Sequence, residues 1–414
     1  MRIAFALHGS RGDVQPALAV AAALDARGHR VSIAVAADLV EMIERTGLPT
    51  RTLCPSTAEL LATPLVAERL KSANPRTRMQ ALREVGSYGS AMSEQVMGEL
   101  ADESDVLVTG LLAQERAATI AESRGIGFIP LHYCPVRANA AVSPTYRRLP
   151  RPARAALWSV VDHGYWLSTR GDDRALRVRL GLPVADQPLG RRLRSAGRPE
   201  VQAYDPALFD GLATEWGDQR PFSGFLVPDD MTRRALNGDD TATIDAIAWA
   251  DTGPPPVYVG FGSMPVPAAR IGSIVGHLRA RGLRVIAHTT HHITEGDGGT
   301  DDAVLAVGTG LDHERLLPHC HGAVHHGGAG TTAAAARAGI PSVIGWFSAD
   351  QPMWAGALAR AGAGRGARLT RLAPTDLDAL TDPAVIVAAR TLARRLVPVA
   401  EARDTVCRVM LESA

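Results

Sequence analysis

Apolar and polar positions fall into blocks along this chain. "RIAFAL" at 2–7 is a short apolar run that predicts a buried strand. The polar, glycine-bearing "HGSRGD" follows as a turn. "VQPALAVAAALDARG" then predicts a helix, with Pro16 tolerated in its first turn and Gly28 just past its end. "HRVSIAVA" is a second apolar run, so strand, helix and strand form a βαβ unit with a parallel sheet. The pattern returns at "DVLVTG" (105–110), a helix from Gln114 to Arg124, and "GFIPLHY" (127–133). Between these blocks, residues 55–100 read as helical and irregular. After Tyr133 a proline-containing stretch with basic and aromatic residues reads as a loop and helices decorating the first domain.

Around 215–240 the texture becomes polar, with Pro and Gly and no clear period, which predicts a linker. "PPPVYVGFGSM" (254–264) opens a second series of strands, followed by "LRVIAHTT", "AVLAVGTG", "GAVHH" and "PSVIGWF", each separated by helical stretches. The expected fold class is therefore α/β, with two Rossmann-like, doubly wound parallel sheets in succession. The expected boundaries are 1–215, a linker over 216–240, a second domain over 241–385, and C-terminal helices over 386–414. Those last helices are arginine-rich. Leu392, Leu396, Val399, Val406, Val409 and Met410 have the spacing to pack back on the first domain.

A length of 414 residues fits two domains, and 46% hydrophobic with 21% charged residues fits a soluble globular protein. The formal net charge of +1 gives no global field toward nucleic acid or anionic membrane. Cys54, Cys134, Cys320 and Cys407 share no CxxC spacing, so neither a zinc site nor a disulfide framework is indicated. The apolar part of the N-terminus, Ile3–Leu7, is too short for a signal peptide, and no apolar stretch is long enough to span a membrane. A cytoplasmic location is expected.

The chemistry concentrates in "HGAVHHGGAGTTAAAARAGIPSVIGW", residues 321–346. A strand ending in His325 and His326 meets Gly327, Gly328 and Gly330, then a helix expected to start at Thr331 and Thr332. Histidines at the C-terminal edge of a parallel sheet stand where open α/β folds bind ligands. The glycines let a ligand approach the backbone. The helix N-terminus offers free N–H groups and the positive end of a dipole, an anion site suited to phosphate. A neighbouring imidazole can donate to a phosphoryl oxygen, most strongly when protonated. Packing alone can also produce a glycine-rich strand-to-helix turn.

"HHGGAGTT" with "RAGIPSVIGWFSADQPMWAGALARAGAG" resembles the donor-site motif of glycosyltransferases of the two-Rossmann (GT-B) class. "GSRGDVQP" (9–16), "LDARGHRVSIA" (24–34) and "PPVYVGFGSM" resemble further signatures of that group, nearest to the bacterial natural-product and sterol glycosyltransferases. The resemblance spans the chain and is vague over 55–220, which in the family builds the acceptor pocket. It implies two domains facing across a cleft, the first binding an acceptor and the second a nucleotide sugar such as a dTDP- or UDP-sugar. It implies inverting transfer to a hydroxyl of a hydrophobic natural product, with Asp13 as general base. Asp13 can equally be read as a helix N-cap. Gln114, with no Asp in "LLAQ", suits a lone carboxylate base.

The resemblance puts the donor diphosphate on His326, Gly328, Gly330, Thr331, Thr332, Gly262, Ser263, Ser10 and Arg11. It puts donor-sugar hydroxyls on Asp350 and Gln351 and the nucleobase near Leu311. A plain strand turn at Gly262–Ser263 and a helix start at Asp350 stay open as alternatives. No metal and no cofactor are expected. His288, His291 and His292 lack a nearby ligand set, and "DLD" at 376–378 reads as a helix cap. "YRRLPRPARAALW" reads as a solvated face rather than a membrane contact. A monomer or weak homodimer is expected. A sterol or lipid acceptor, a nucleotide-sugar 2-epimerase and a non-catalytic sugar-nucleotide-binding partner are the competing functions.

Overall fold

From Ile3 onward strand β1 (Arg2–Leu7) is buried on both faces, so its sequence shows no polar alternation. Ile3, Phe5 and Leu7 pack with the helix Arg11–Ala26, while Ala4 and Ala6 face the helices Ser90–Asp102 and Gln114–Arg124. The computed structural model describes residues 1–56, 59, 63, 69, 74, 77, 89–143, 149–262, 264–289, 303–308, 310–347 and 349–413. Pro16 lies inside the helix Arg11–Ala26, deeper than the first turn expected for it, because the helix begins as early as Arg11.

The other strands of the first half are β2 (Arg30–Ala36), β3 (Thr50–Cys54), β4 (Val106–Thr109), β5 (Gly127–His132) and β6 (Val201–Gln202). The second half contributes β7 (Val257–Gly260), β8 (Val285–His288), β9 (Val304–Val307), β10 (Gly322–His325), β11 (Ser342–Trp346) and β12 (Gly364–Arg368). They form two six-stranded sheets, ordered β3-β2-β1-β4-β5-β6 and β12-β11-β10-β7-β8-β9. Every strand pairing is parallel. The first sheet runs third, second, first, fourth, fifth, sixth in its own half, the dinucleotide-fold order. The second runs sixth, fifth, fourth, first, second, third, which is the same order read from the other edge. The strand order reverses between β1 and β4 in one sheet and between β7 and β10 in the other.

Sequence reading finds the central strands and misses β3, β6 and β12. All three lie at sheet edges. "TRTLC" and "GRGAR" carry polar, glycine and arginine positions because an edge strand is not walled on every side by apolar partners.

The expected linker is also more ordered than its polarity implies. Residues 223–228 are buried, and the helix Asp230–Asn237 places Leu236 in the core of the first sheet. From the same helix Arg233 Nε donates to Asp312 in the second half at 3.0 Å. An apolar cluster also joins the halves. Trp354, fully buried, packs at ring distances of 5.3 Å from Phe209, 5.9 Å from Phe225 and 6.2 Å from Tyr204. The C-terminal helix Val399–Glu412 puts Ala402, Val406, Cys407 and Met410 into the core of the first sheet, against the helix Arg11–Ala26.

Candidate active site

The turn after β1 carries the first group of residues. Gly9 sits at φ +114, and a Cβ there would collide with the Asp13 carboxylate, so only glycine fits. Asp13 is the third residue of its helix and Ser10 is the N-cap, which corrects the reading of Asp13 as the cap itself. Asp13 Oδ2 accepts from the Ser10 backbone N–H at 2.8 Å and from its hydroxyl at 2.9 Å. Burial raises the Asp13 pKa above the usual carboxylate value, and the Ser10 bonds pull it partly back. Arg11 donates from Nε to Gln15 at 3.1 Å and from its terminal nitrogen to Asn237 in the linker helix. In the second half burial, and after it the charges of His288 and Arg11, lower the His313 pKa.

The second group follows β10. His325 ends the strand, and His326 starts a turn in which Gly327 stands at φ +87. The helix runs Ala329–Ala338 with Gly328 as N-cap, two residues earlier than the sequence implies. The first-turn amides therefore belong to Ala329, Gly330 and Thr331. The Thr332 N–H is already bonded to Gly328 O at 3.0 Å, and the Thr332 hydroxyl is buried without a partner among the described residues.

The His326 ring lies between two glycines. A Cβ at Gly328 would be 2.5 Å from its Nε2, and one at Gly262 would be 3.2 Å from its Cε1. Burial lowers the His326 pKa to about 4, so the ring is neutral at pH 7. It can donate through an N–H but not as the cation first considered. Its Nδ1 meets no partner among the described residues. His325 is turned into the sheet, where its Nδ1 accepts from the Gly327 N–H at 3.1 Å and so shapes the turn.

The remaining expected residues divide. Asp350 stands on the cleft. Burial first, and then the charge of Asp13, raise its pKa, while the Trp354 indole donates to Oδ2 at 2.7 Å. The charges of Asp350 and Asp13 both reach the Cys134 thiol, whose pKa is raised first by burial. The helix Arg11–Ala26 after β1 touches the helix Ala329–Ala338 after β10, so the two sheet edges meet here. The residue preceding Asp350, Ala349, is held at a strained φ of +58.

Gln351 is buried, and its Oε1 accepts from the Phe347 N–H at 2.7 Å, so that oxygen serves its own loop. The Leu311 side chain lies in the apolar core with Tyr258 and Leu316, which leaves only its backbone to meet a ligand. Ser263, His291 and His292 fall outside the described residues. The Gln114 carbonyl oxygen is taken by Arg137 at 2.9 Å and faces His132 at 3.1 Å. Asp376 accepts from the Ala373 N–H at 2.8 Å at the start of a short helix. Among the described residues no His, Cys, Asp and Glu group could hold a metal ion, and no helix is long and apolar enough to cross a membrane.

Sequence reasoning missed one buried chain of groups. The Tyr258 hydroxyl meets His288 Nδ1 at 3.0 Å and His313 Nε2 at 2.7 Å. Gly260 makes room for it, since a Cβ there would collide with that hydroxyl. The tyrosine is visible in "PPVYVGFGSM", but its partners lie on β8 and on the short helix His313–Leu316.

Residues 3–93 match the glycosyltransferase family 28 N-terminal domain, and residues 285–402 match the C-terminal domain of the erythromycin biosynthesis protein CIII-like family. The chain is 35% identical over 405 residues to an uncharacterised glycosyltransferase of Mycobacterium tuberculosis, covering 96% of this chain and 95% of that protein. It is 30% identical over 376 residues to the vancomycin aglycone glucosyltransferase of Amycolatopsis orientalis, covering 88% and 85%. The structure of the Streptomyces sp. SF2575 glycosyltransferase SsfS6 complexed with thymidine diphosphate superposes with a TM-score of 0.65 at 19% identity, covering 100% of both chains.

Proposed function

The chain belongs to the glycosyltransferases of the two-Rossmann type, and on that premise we propose that it moves a sugar from a nucleoside diphosphate donor to a hydroxyl of a hydrophobic acceptor, with inversion and without a metal ion. The observation that carries the reading is the pair of facing sheet edges. One holds Asp13 and the other holds His326 at a helix N-terminus, and the helices that begin at these two edges touch.

The donor diphosphate would sit on the amides of Ala329, Gly330 and Thr331, with an N–H of His326 completing the set. Arg11, Ser10, Gly262 and Gly328 would border the same space, and Asp350 would meet the sugar. The acceptor hydroxyl loses its proton to Asp13 as its oxygen attacks the anomeric carbon. The bond from that carbon to the diphosphate breaks, and the nucleoside diphosphate leaves with the electron pair. A base opposite the leaving group gives inversion. Amides, a neutral imidazole and the Arg11 guanidinium would receive the leaving charge without a metal ion. The thymidine diphosphate held by the related SsfS6 structure fits this donor class, and thymidine and uridine donors both suit the reading.

The test is Asp13→Asn. Nucleoside diphosphate binding, followed by calorimetry, should persist, while transfer to an aglycone from a panel falls roughly 100-fold or more. Full turnover in a folded Asp13→Asn variant would remove Asp13 from the chemistry.

A further inference from the structure

Tyr133 follows the last residue of β5. Strand alternation puts it on the same face as Ile129 and Leu131, which pack with Val14, Ala17 and Leu18 of the helix that carries Asp13. The Tyr133 ring packs against that cluster and over the end of β4, where a Cβ at Gly110 would lie 3.8 Å from its Cε2. In the order β1-β4-β5 that end of β4 lies between Tyr133 and the turn after β1. The residue is half-buried, and its hydroxyl oxygen is covered and meets no hydrogen-bond partner among the described residues. Phenylalanine would fill the same apolar space without leaving a polar group unpaired. Burial, and after it the Asp13 charge, raise the phenol pKa, so the group stays a donor.

We infer that Tyr133 is a second acceptor-contacting residue, whose hydroxyl donates to the oxygen of the reacting acceptor hydroxyl. This rests on the transferase reading above. The acceptor oxygen has one proton and two lone pairs. The proton goes to Asp13, one lone pair attacks the anomeric carbon, and the other accepts from Tyr133. Three directed contacts would hold the hydroxyl in line with the bond that breaks.

The experiment is Tyr133→Phe in the full-length protein. Uridine and thymidine diphosphate binding should match the unsubstituted enzyme by calorimetry. The thermal midpoint should stay or rise, because an unpaired buried hydroxyl is gone. For the aglycone that the unsubstituted enzyme glycosylates, kcat/KM should fall about 5- to 100-fold. The acid limb of the pH profile should stay in place, since Asp13 remains the base. Unchanged kcat/KM would overturn the inference, as would a loss of diphosphate affinity parallel to the loss of transfer. If the unsubstituted enzyme transfers to no aglycone in the panel, the transferase reading fails and this inference falls with it.

Discussion

Replacing Gly328 with alanine should disable His326 without altering it. The Gly328 backbone, at φ −63 and ψ 144, accepts any L-residue, so the substitution brings no torsional strain. The added Cβ, however, would stand 2.5 Å from His326 Nε2 and 3.2 Å from its Cε1. The first distance is about 1 Å inside ordinary contact. On its other side the ring already crowds Gly262, where a Cβ would lie 3.2 Å from Cε1. The imidazole must therefore rotate away from the helix N-terminus.

A hydrogen bond from His326 to a charged phosphoryl oxygen is worth about 1.5–3 kcal/mol, or roughly 10- to 150-fold in affinity. Gly328→Ala and His326→Ala should each weaken nucleoside diphosphate binding by that factor and leave nucleoside binding nearly unchanged. Because both act through one ring, the double variant should be no weaker than either single one. Calorimetry with the nucleoside and its diphosphate on all four proteins closes the cycle. Additive losses, or equal losses for the two ligands, would refute the reasoning.

Gly327→Ala should be worse for the fold. It forces a Cβ onto a φ of +87 and to 2.6 Å from Ile344 Cγ2, a combined cost of about 2–4 kcal/mol, and an unshifted thermal midpoint would contradict it. Trp354→Ala empties the space among Tyr204, Phe209 and Phe225. It should cost about 3–5 kcal/mol and loosen the two halves in small-angle scattering, and a wild-type profile and midpoint would rule that out. Stability should also fall in acid. Burial lowers His8 and His326 to about 4 and His132, His313 and His325 to about 3, against an ordinary value of 6.5. The unfolded chain therefore binds more protons below pH 6.5, and the stabilisation present above that pH is lost progressively toward pH 4 and below. Denaturant midpoints that stay flat between pH 7 and pH 5 would show these rings to be solvated.

The parts legible in the sequence are those where local pattern and tertiary environment agree. The central strands β1, β4, β7, β10 and β11 are walled in by neighbours, so their buried runs need no alternation. The glycines at 327 and 328 announce a turn in which the backbone has no room for side chains, and the turn has that form. The edge strands β3 and β12 escaped because polar groups at a sheet margin carry no period, whereas the edge strand β9 was read from its apolar run.

The sequence alone determined two successive βαβ series and a histidine–glycine turn before a helix, since each follows from spacing within a few dozen residues. Only the tertiary structure decided what those residues face. It set Asp13 back onto Ser10, buried Leu311 in the core, turned the Gln351 oxygen to Phe347, and left the Tyr133 hydroxyl unpaired among the described residues beside the cleft. It also made His326 neutral, because a ring's charge depends on how much water its neighbours remove. Those neighbours are brought together from distant parts of the chain, and no local pattern records their approach.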